Sequence, residues 1–188
     1  AAEPDVFDQS KKIDLRNTSA LIVDDNIKSL ELLNQVLLGF RMKQIVTAQS
    51  ADQAEHHLNS DRFNILIIDT EMPQENGLAL TRRLRRNRSN PNATAPVIMM
   101  AAHTSLERIN EARNAGVNLV VKKPIVPGVL LQRIAWLARN HRDFVRADNY
   151  CGPDRRFRKT PPADGVERRA EIQGLLADNS RALSQNDI

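Results

Sequence analysis

Three carboxylates and one amine stand at matching places in this sequence of 188 residues. Asp24 and Asp25 end the apolar run 20–23, Asp69 ends the run 65–68, and Lys123 closes the run 119–121. Like charges brought together either raise a pKa or recruit a cation. An all-oxygen set with access to water suits Mg²⁺, which keeps several waters and takes one or two carboxylates directly. Lys123, arriving from the far side, would then meet an anion. Taken singly, each residue has a plainer reading: Asp24 or Asp25 as the cap of a helix starting near Asn26, Asp69 as a turn former. Their coincidence at the ends of separate elements favours a shared site.

Those elements are legible. From Ala20 onward, short apolar runs alternate with stretches of helical periodicity, the pattern of an α/β fold. The runs 20–23, 44–47, 65–68, 97–100 and 119–121 read as strands, and their mostly continuous apolarity predicts burial on both sheet faces. Ile27, Leu30, Leu33 and Leu37 form one helical stripe, and Leu130, Ile134 and Leu137 another. Ser50 with Gln53, and Thr104 with Glu107, have capping-box spacing and predict two helix starts. The Asn-, Ser- and Pro-rich stretch 87–96 predicts a loop. Five βα rounds are expected to form a doubly wound parallel sheet with ligands bound at the carboxyl ends of its strands, and the flavodoxin-like version of that fold has the order 2-1-3-4-5. If strands one and three are neighbours, the three carboxylates share one crevice there.

Charge is modest overall, 27 basic against 23 acidic residues, and it is uneven. Residues 1–18 carry three basic and four acidic groups, 19–142 sixteen and eleven, and 143–188 eight of each. These blocks read as an N-terminal extension, one domain, and a mostly irregular tail with a possible short helix from Asp164 through Ile172, Leu175 and Leu176. Arg82, Arg83, Arg85, Arg86 and Arg88 crowd one predicted helix, read first as a solvated face. The longest apolar run, 97–102, is far too short to cross a bilayer, the acidic opening 1–10 does not resemble a secretory signal, and Cys151 is alone. A cytoplasmic protein without membrane insertion, disulfide or cysteine-metal cage is expected. No helix-turn-helix, nucleotide loop, catalytic triad or metal-histidine spacing occurs, so DNA binding and an enzymatic output are not expected. His56, His57, His103 and His141 read as incidental.

Over residues 19–142 the sequence resembles the receiver domain of bacterial two-component response regulators, of the kind found in chemotaxis regulators. The resemblance is carried by the ending Leu21-Ile22-Val23-Asp24-Asp25, by Asp69-Thr70-Glu71-Met72-Pro73 with Gly77 after it, and by Lys123-Pro124. It implies that Asp69 accepts a phosphoryl group from a sensor histidine kinase or phosphotransfer protein. It also implies that Asp25, Asp69 and the Glu71 carbonyl hold Mg²⁺ while Asp24 acts through water, and that Lys123 pairs with the phosphoryl oxygens. Ala101 and Ala102 fall at the phosphoryl-contact positions. The product would be a phosphoprotein that signals by protein–protein interaction and turns over at most by autodephosphorylation, with Glu71 and His103 at positions that tune its lifetime. Two positions depart from the family: Ala101 replaces a switching Thr or Ser, and Val120 replaces a Tyr or Phe. These departures set a regulator with altered switching against a constitutive docking module.

The tail repeats a pattern. Gly152-Pro153-Asp154-Arg155-Arg156 and Gly165-Val166-Glu167-Arg168-Arg169 share glycine, any residue, acid and two arginines. Arg155, Arg156, Arg158, Arg168 and Arg169 could grip phosphate or carboxylate in bidentate fashion. The candidate ligands are a cyclic dinucleotide, an acidic downstream protein partner, and the chain's own domain or a second copy. Tyr150 and Phe157 would either stack a base or pin the tail to the domain.

Overall fold

The structure, a computed structural model, describes residues 13–155. The apolar runs become β1 (Ser19–Val23), β2 (Gln44–Ala48), β3 (Ile65–Asp69), β4 (Val97–Ala101) and β5 (Leu119–Lys122), each within one residue of expectation at either end. All pair in parallel, in the order β2-β1-β3-β4-β5. The three central strands are buried along their whole length. The edge strands β2 and β5, which carry Gln44, Thr47 and Lys122, are partly exposed.

Helices α1 (Ile27–Gly39), α2 (Ala51–Ser60), α3 (Gly77–Arg86), α4 (Leu106–Ala115) and α5 (Pro127–Arg139) cover the two faces. The strand period of two sorts the core. Leu21, Val23, Leu66 and Ile68 pack against Leu58, Leu78, Leu84 and Ala112 of α2, α3 and α4. Ala20, Ile22, Ile65 and Ile67 pack against Leu30, Leu33, Leu37, Leu130 and Ile134 of α1 and α5. Each such leucine contributes about 1.5–3 kcal/mol of burial. Leu15, assigned from sequence to the N-terminal extension, is buried in the second cluster.

Several expectations change in detail. Ile27 belongs to the α1 stripe by spacing yet is 55% exposed, because the first helical residue stands past the end of the sheet. Ser50 caps α2 as expected, but Gln53 reaches back to the amide of Gln49, not of Ser50. The cap of α4 is Ser105, one residue later than Thr104, its Oγ accepting from the Arg108 amide at 3.3 Å. Arg88 lies beyond the end of α3, and Arg85 is not solvated: it is 1% exposed.

The reason lies in the segment read as irregular. After α5, β6 (Phe144–Ala147) and β7 (Tyr150–Pro153) form an antiparallel hairpin. It docks on the carboxyl ends of α3 and α4, at the edge of the sheet opposite Asp69. Gly116 ends α4 with φ 88°, and a Cβ there would meet the Cys151 carbonyl at 2.6 Å. A Cβ on Gly152 would meet the Gly116 Cα at 2.6 Å, so two bare Cα atoms let the backbones close. The Arg85 guanidinium is roofed by the Phe144 ring, 5.5 Å from its centroid. It donates to the carbonyls of Gly116 (3.0 Å), Ala93 and Ala95 (both 2.8 Å) and to Asn118 Oδ1 (3.2 Å). Burial pushes it down to about 10, so it stays charged at neutral pH. Arg155 closes the hairpin, with its guanidinium 3.9 Å from the Tyr150 centroid and 2.6 Å from Asn114 Oδ1. The expected helix from Asp164, Phe157, and the tail arginines Arg156, Arg158, Arg168 and Arg169 lie outside the described residues.

Candidate functional site

Parallel strands with returning helices deliver the ends of β1, β3, β4 and β5 to one edge, and there the four sequence-selected side chains meet. Lys123 Nζ lies 2.9 Å from Asp24 Oδ2 and 3.0 Å from Asp69 Oδ2. Asp24, Asp25 and Asp69 each offer an oxygen within 4.8 Å of the others. Asp24 is fully buried and Asp69 nearly so, whereas Asp25 faces solvent. Asp24 does not cap α1. That is done by Asn26, whose side chain accepts from the amides of Lys28 and Ser29, while Asp24 accepts the Asn26 amide at 2.9 Å.

The backbone holds this arrangement. The Lys123 amide donates to the Ala101 carbonyl at 2.9 Å, and the Lys123–Pro124 peptide is cis. The loop after β3 turns through Gln74, at φ 66°, and returns so that Gly77 passes directly under Asp69. A Cβ on Gly77 would lie 2.0 Å from the Asp69 carbonyl oxygen. Arg83 braces the same loop through Glu75 at 2.8 Å and reaches Glu55 of α2 at 3.2 Å.

Burial pushes the Asp69 carboxyl above the ordinary carboxylate range, and the neighbouring Asp24 charge adds to it; the Lys123 hydrogen bond and charge oppose this without cancelling it. For Lys123, burial works against the charged form, but hydrogen bonds to Asp24 and Asp69 outweigh it and hold the ammonium above its usual value. With all three acids ionised, one lysine leaves two negative charges uncompensated in a largely buried, all-oxygen cluster. That charge and donor set fits a divalent ion of the Mg²⁺ type.

Ala101 is buried at the end of β4 and Ala102 is exposed beyond it. Neither side chain can donate a hydrogen bond to a ligand on Asp69. Behind them lies a small cavity of about 10 Å³ beside α4, lined among others by Glu71, Ala101, His103, Arg108, Ile109 and Val120. Thr70 also borders it, but its hydroxyl is committed to the Met100 carbonyl at 2.6 Å. Arg108 leans towards the site, with Nη1 3.9 Å from Glu71 Oε1. Neither Arg108 nor Thr70 was singled out from sequence. With the cap expected at Thr104, no spacing in the sequence set Arg108 apart; the cap at Ser105 makes it the third helical residue.

A flavodoxin-like sheet bearing an aspartate cluster and a lysine at its carboxyl edge defines the class of phosphoryl-accepting signalling domains. Comparison with known proteins agrees. The model of the response regulator receiver domain matches residues 20–135, and the chain belongs to that family. The chain is 34% identical over 130 residues to Protein PetR of Rhodobacter capsulatus, covering 68% of this chain and 51% of that one. It is 30% identical over 118 residues to the CAI-1 autoinducer sensor kinase/phosphatase CqsS of Vibrio cholerae, covering 62% of this chain and 17% of CqsS. The chain thus spans about half, or less, of the length of these curated relatives. Among solved structures it resembles the Vibrio cholerae chemotaxis response regulator CheY4, with TM-score 0.58, 25% identity, 62% of this chain and 95% of that one covered. A CheY-like receiver domain from Methanospirillum hungatei matches with TM-score 0.55 and 28% identity over 62% of this chain and 90% of its own. The family match ends before the hairpin begins. Receiver domains accept phosphoryl groups in two-component signalling and bind Mg²⁺ through acidic residues. No helix among the described residues is long and apolar enough to cross a membrane.

Proposed function

We propose that this chain accepts a phosphoryl group on Asp69 from a phosphohistidine, carried by a sensor histidine kinase or a phosphotransfer protein, and signals by docking to a protein partner. An Asp69 carboxylate oxygen attacks phosphorus. The phosphorus–nitrogen bond breaks with its electron pair leaving on the imidazole, and an acyl phosphate forms on Asp69. Such transfer requires an in-line nucleophile and neutralisation of the equatorial oxygens. Lys123 is the cation positioned to neutralise them. Once Asp69 is phosphorylated, the Lys123 ammonium turns from the carboxylate to a phosphoryl oxygen while Asp24 keeps it in place. Asp25, Asp69 and the Glu71 carbonyl would hold Mg²⁺, with Asp24 acting through water. When bound, that ion supplies positive charge to the phosphoryl oxygens.

The observation that carries this reading is the single lysine set between two nearly buried carboxylates, 2.9 and 3.0 Å away, with a third acid beside them. Incubation with acetyl phosphate and Mg²⁺, followed by intact-mass measurement, tests it. The wild type gains one phosphoryl group and Asp69→Ala gains none. An unlabelled wild type, or equal labelling of the variant, overturns it.

A second reading, docking that ignores phosphorylation, draws support from Ala101 and Val120, which carry no polar switching group. Partner affinity measured with and without phosphodonor separates the two. The cyclic-dinucleotide reading of the tail rests on sequence alone, since four of its five arginines are outside the described residues. The fifth, Arg155, is engaged with Tyr150 and Asn114 inside the fold.

A further inference from the structure

We propose that Arg108 of α4 makes the contact with the phosphoryl group that Ala101 cannot, and that α4 follows it. This rests on Asp69 being the acceptor. A phosphoryl group on Asp69 brings oxygens beyond the one facing Lys123, and the side chains at the nearby end of β4, Ala101 and Ala102, offer only methyl groups. Thr70, next in sequence to Asp69, already spends its hydroxyl on Met100. Among the cavity-lining residues, the groups left with a donor are His103 and Arg108. Of these, Arg108 is always cationic, carries five donors on a long stem, and already points at Glu71, two residues after Asp69. A loose pair at 3.9 Å between two exposed groups is worth little, so a phosphoryl dianion competes for the guanidinium easily.

The fold decides what such a move would do. The carboxyl end of α4 is fastened: Gly116 is clasped by the hairpin backbone, Asn114 accepts from Arg155, and Arg113 donates to the Arg155 carbonyl at 3.2 Å. The amino end is loose: Leu106 is 75% exposed, and the small cavity lies beside Ile109 and Arg108. A helix fastened at one end and exposed at the other pivots about the held end. Drawing Arg108 towards Asp69 therefore shifts the first turn of α4 towards the strand ends while its last turn stays in place.

The test uses the full chain with Mg²⁺ and beryllofluoride as a stable phosphoryl mimic, read by amide NMR. Labelling by acetyl phosphate is measured in parallel. In the wild type, beryllofluoride shifts the amides at the start of α4 more than those at its end. In Arg108→Ala, phosphoryl labelling persists and the shifts at the start of α4 are lost; Arg108→Lys restores part of them, and His103→Ala leaves them as in the wild type. Wild-type shifts in Arg108→Ala, or their loss in His103→Ala instead, overturn the assignment of Arg108. A wild type that takes no label overturns the acceptor reading beneath it, a separate result. Arg108 is half exposed, so its truncation leaves the fold intact, which the ligand-free spectrum verifies.

Discussion

Lys123 and Arg85 are both cations withdrawn from water, at opposite edges of one sheet, and they are neutralised in opposite ways. Lys123 lies among carboxylates. Arg85 lies among carbonyl and amide oxygens, two of them at the α4–β5 turn where the helix macrodipole is negative, and has no carboxylate partner among its hydrogen bonds. Ionisable partners make a charge balance that a metal ion or a phosphoryl group can rewrite. Neutral dipoles make one that nothing in solution rewrites. The first edge is suited to chemistry, and the second to holding helices, loop and hairpin in register.

The largest effect that would break this contrast is at Arg85. Arg85→Ala leaves several buried oxygens without a donor and removes the floor beneath Phe144. A loss of about 3–5 kcal/mol in urea unfolding is expected, independent of Mg²⁺. A loss under about 1 kcal/mol would mean that the far edge is as adaptable as the near one. Next comes Lys123→Ala, which strands Asp24 and Asp69. It should destabilise by roughly 2–3 kcal/mol, part of which millimolar Mg²⁺ restores, because an added ion can stand in for the lost ammonium. Failure of Mg²⁺ to restore anything there would erase the distinction.

The smallest expected effect has a sign that sharpens the comparison. Asp69 has a folded-state pKa above its ordinary 3.8, so its protonation favours the fold. That stabilisation is complete below the unfolded value and is lost as pH rises through the folded one. Asp69→Asn should therefore stabilise the chain at neutral pH by less than Lys123→Ala costs it, on the order of 1 kcal/mol, and the advantage should shrink as pH falls towards 3.8. Denaturation midpoints across that range check it.

How much of this the sequence revealed follows the same division. The near edge is written locally: mostly continuous Val and Ile runs give strands, and the candidate residues stand at or just after the ends of β1, β3 and β5, so Asp24, Asp25, Asp69 and Lys123 are readable without a structure. The far edge is not. Residues 144–147 and 150–153, Phe-Val-Arg-Ala and Tyr-Cys-Gly-Pro, are too short to show an alternation, and what secures them is the bare Cα of Gly116, which no pattern of their own announces. Arg85 did leave a trace. With Leu78 and Thr81 it falls at the i, i+3, i+7 positions of the buried face of α3, an unusual place for an arginine meant for water. The glycine of the first Gly-x-acid-Arg-Arg repeat also has a packing role, which the repetition alone could not distinguish from ligand binding.

The hairpin also fixes where the polypeptide departs. Because it crosses from α5 to the ends of α3 and α4, Arg155 itself stands at the pole opposite Asp69, about 15 Å away along the ten residues of α3. Donor and hairpin are thereby segregated: a phosphodonor seated over Asp69 and a binder seated on the hairpin itself would occupy opposite poles of the domain.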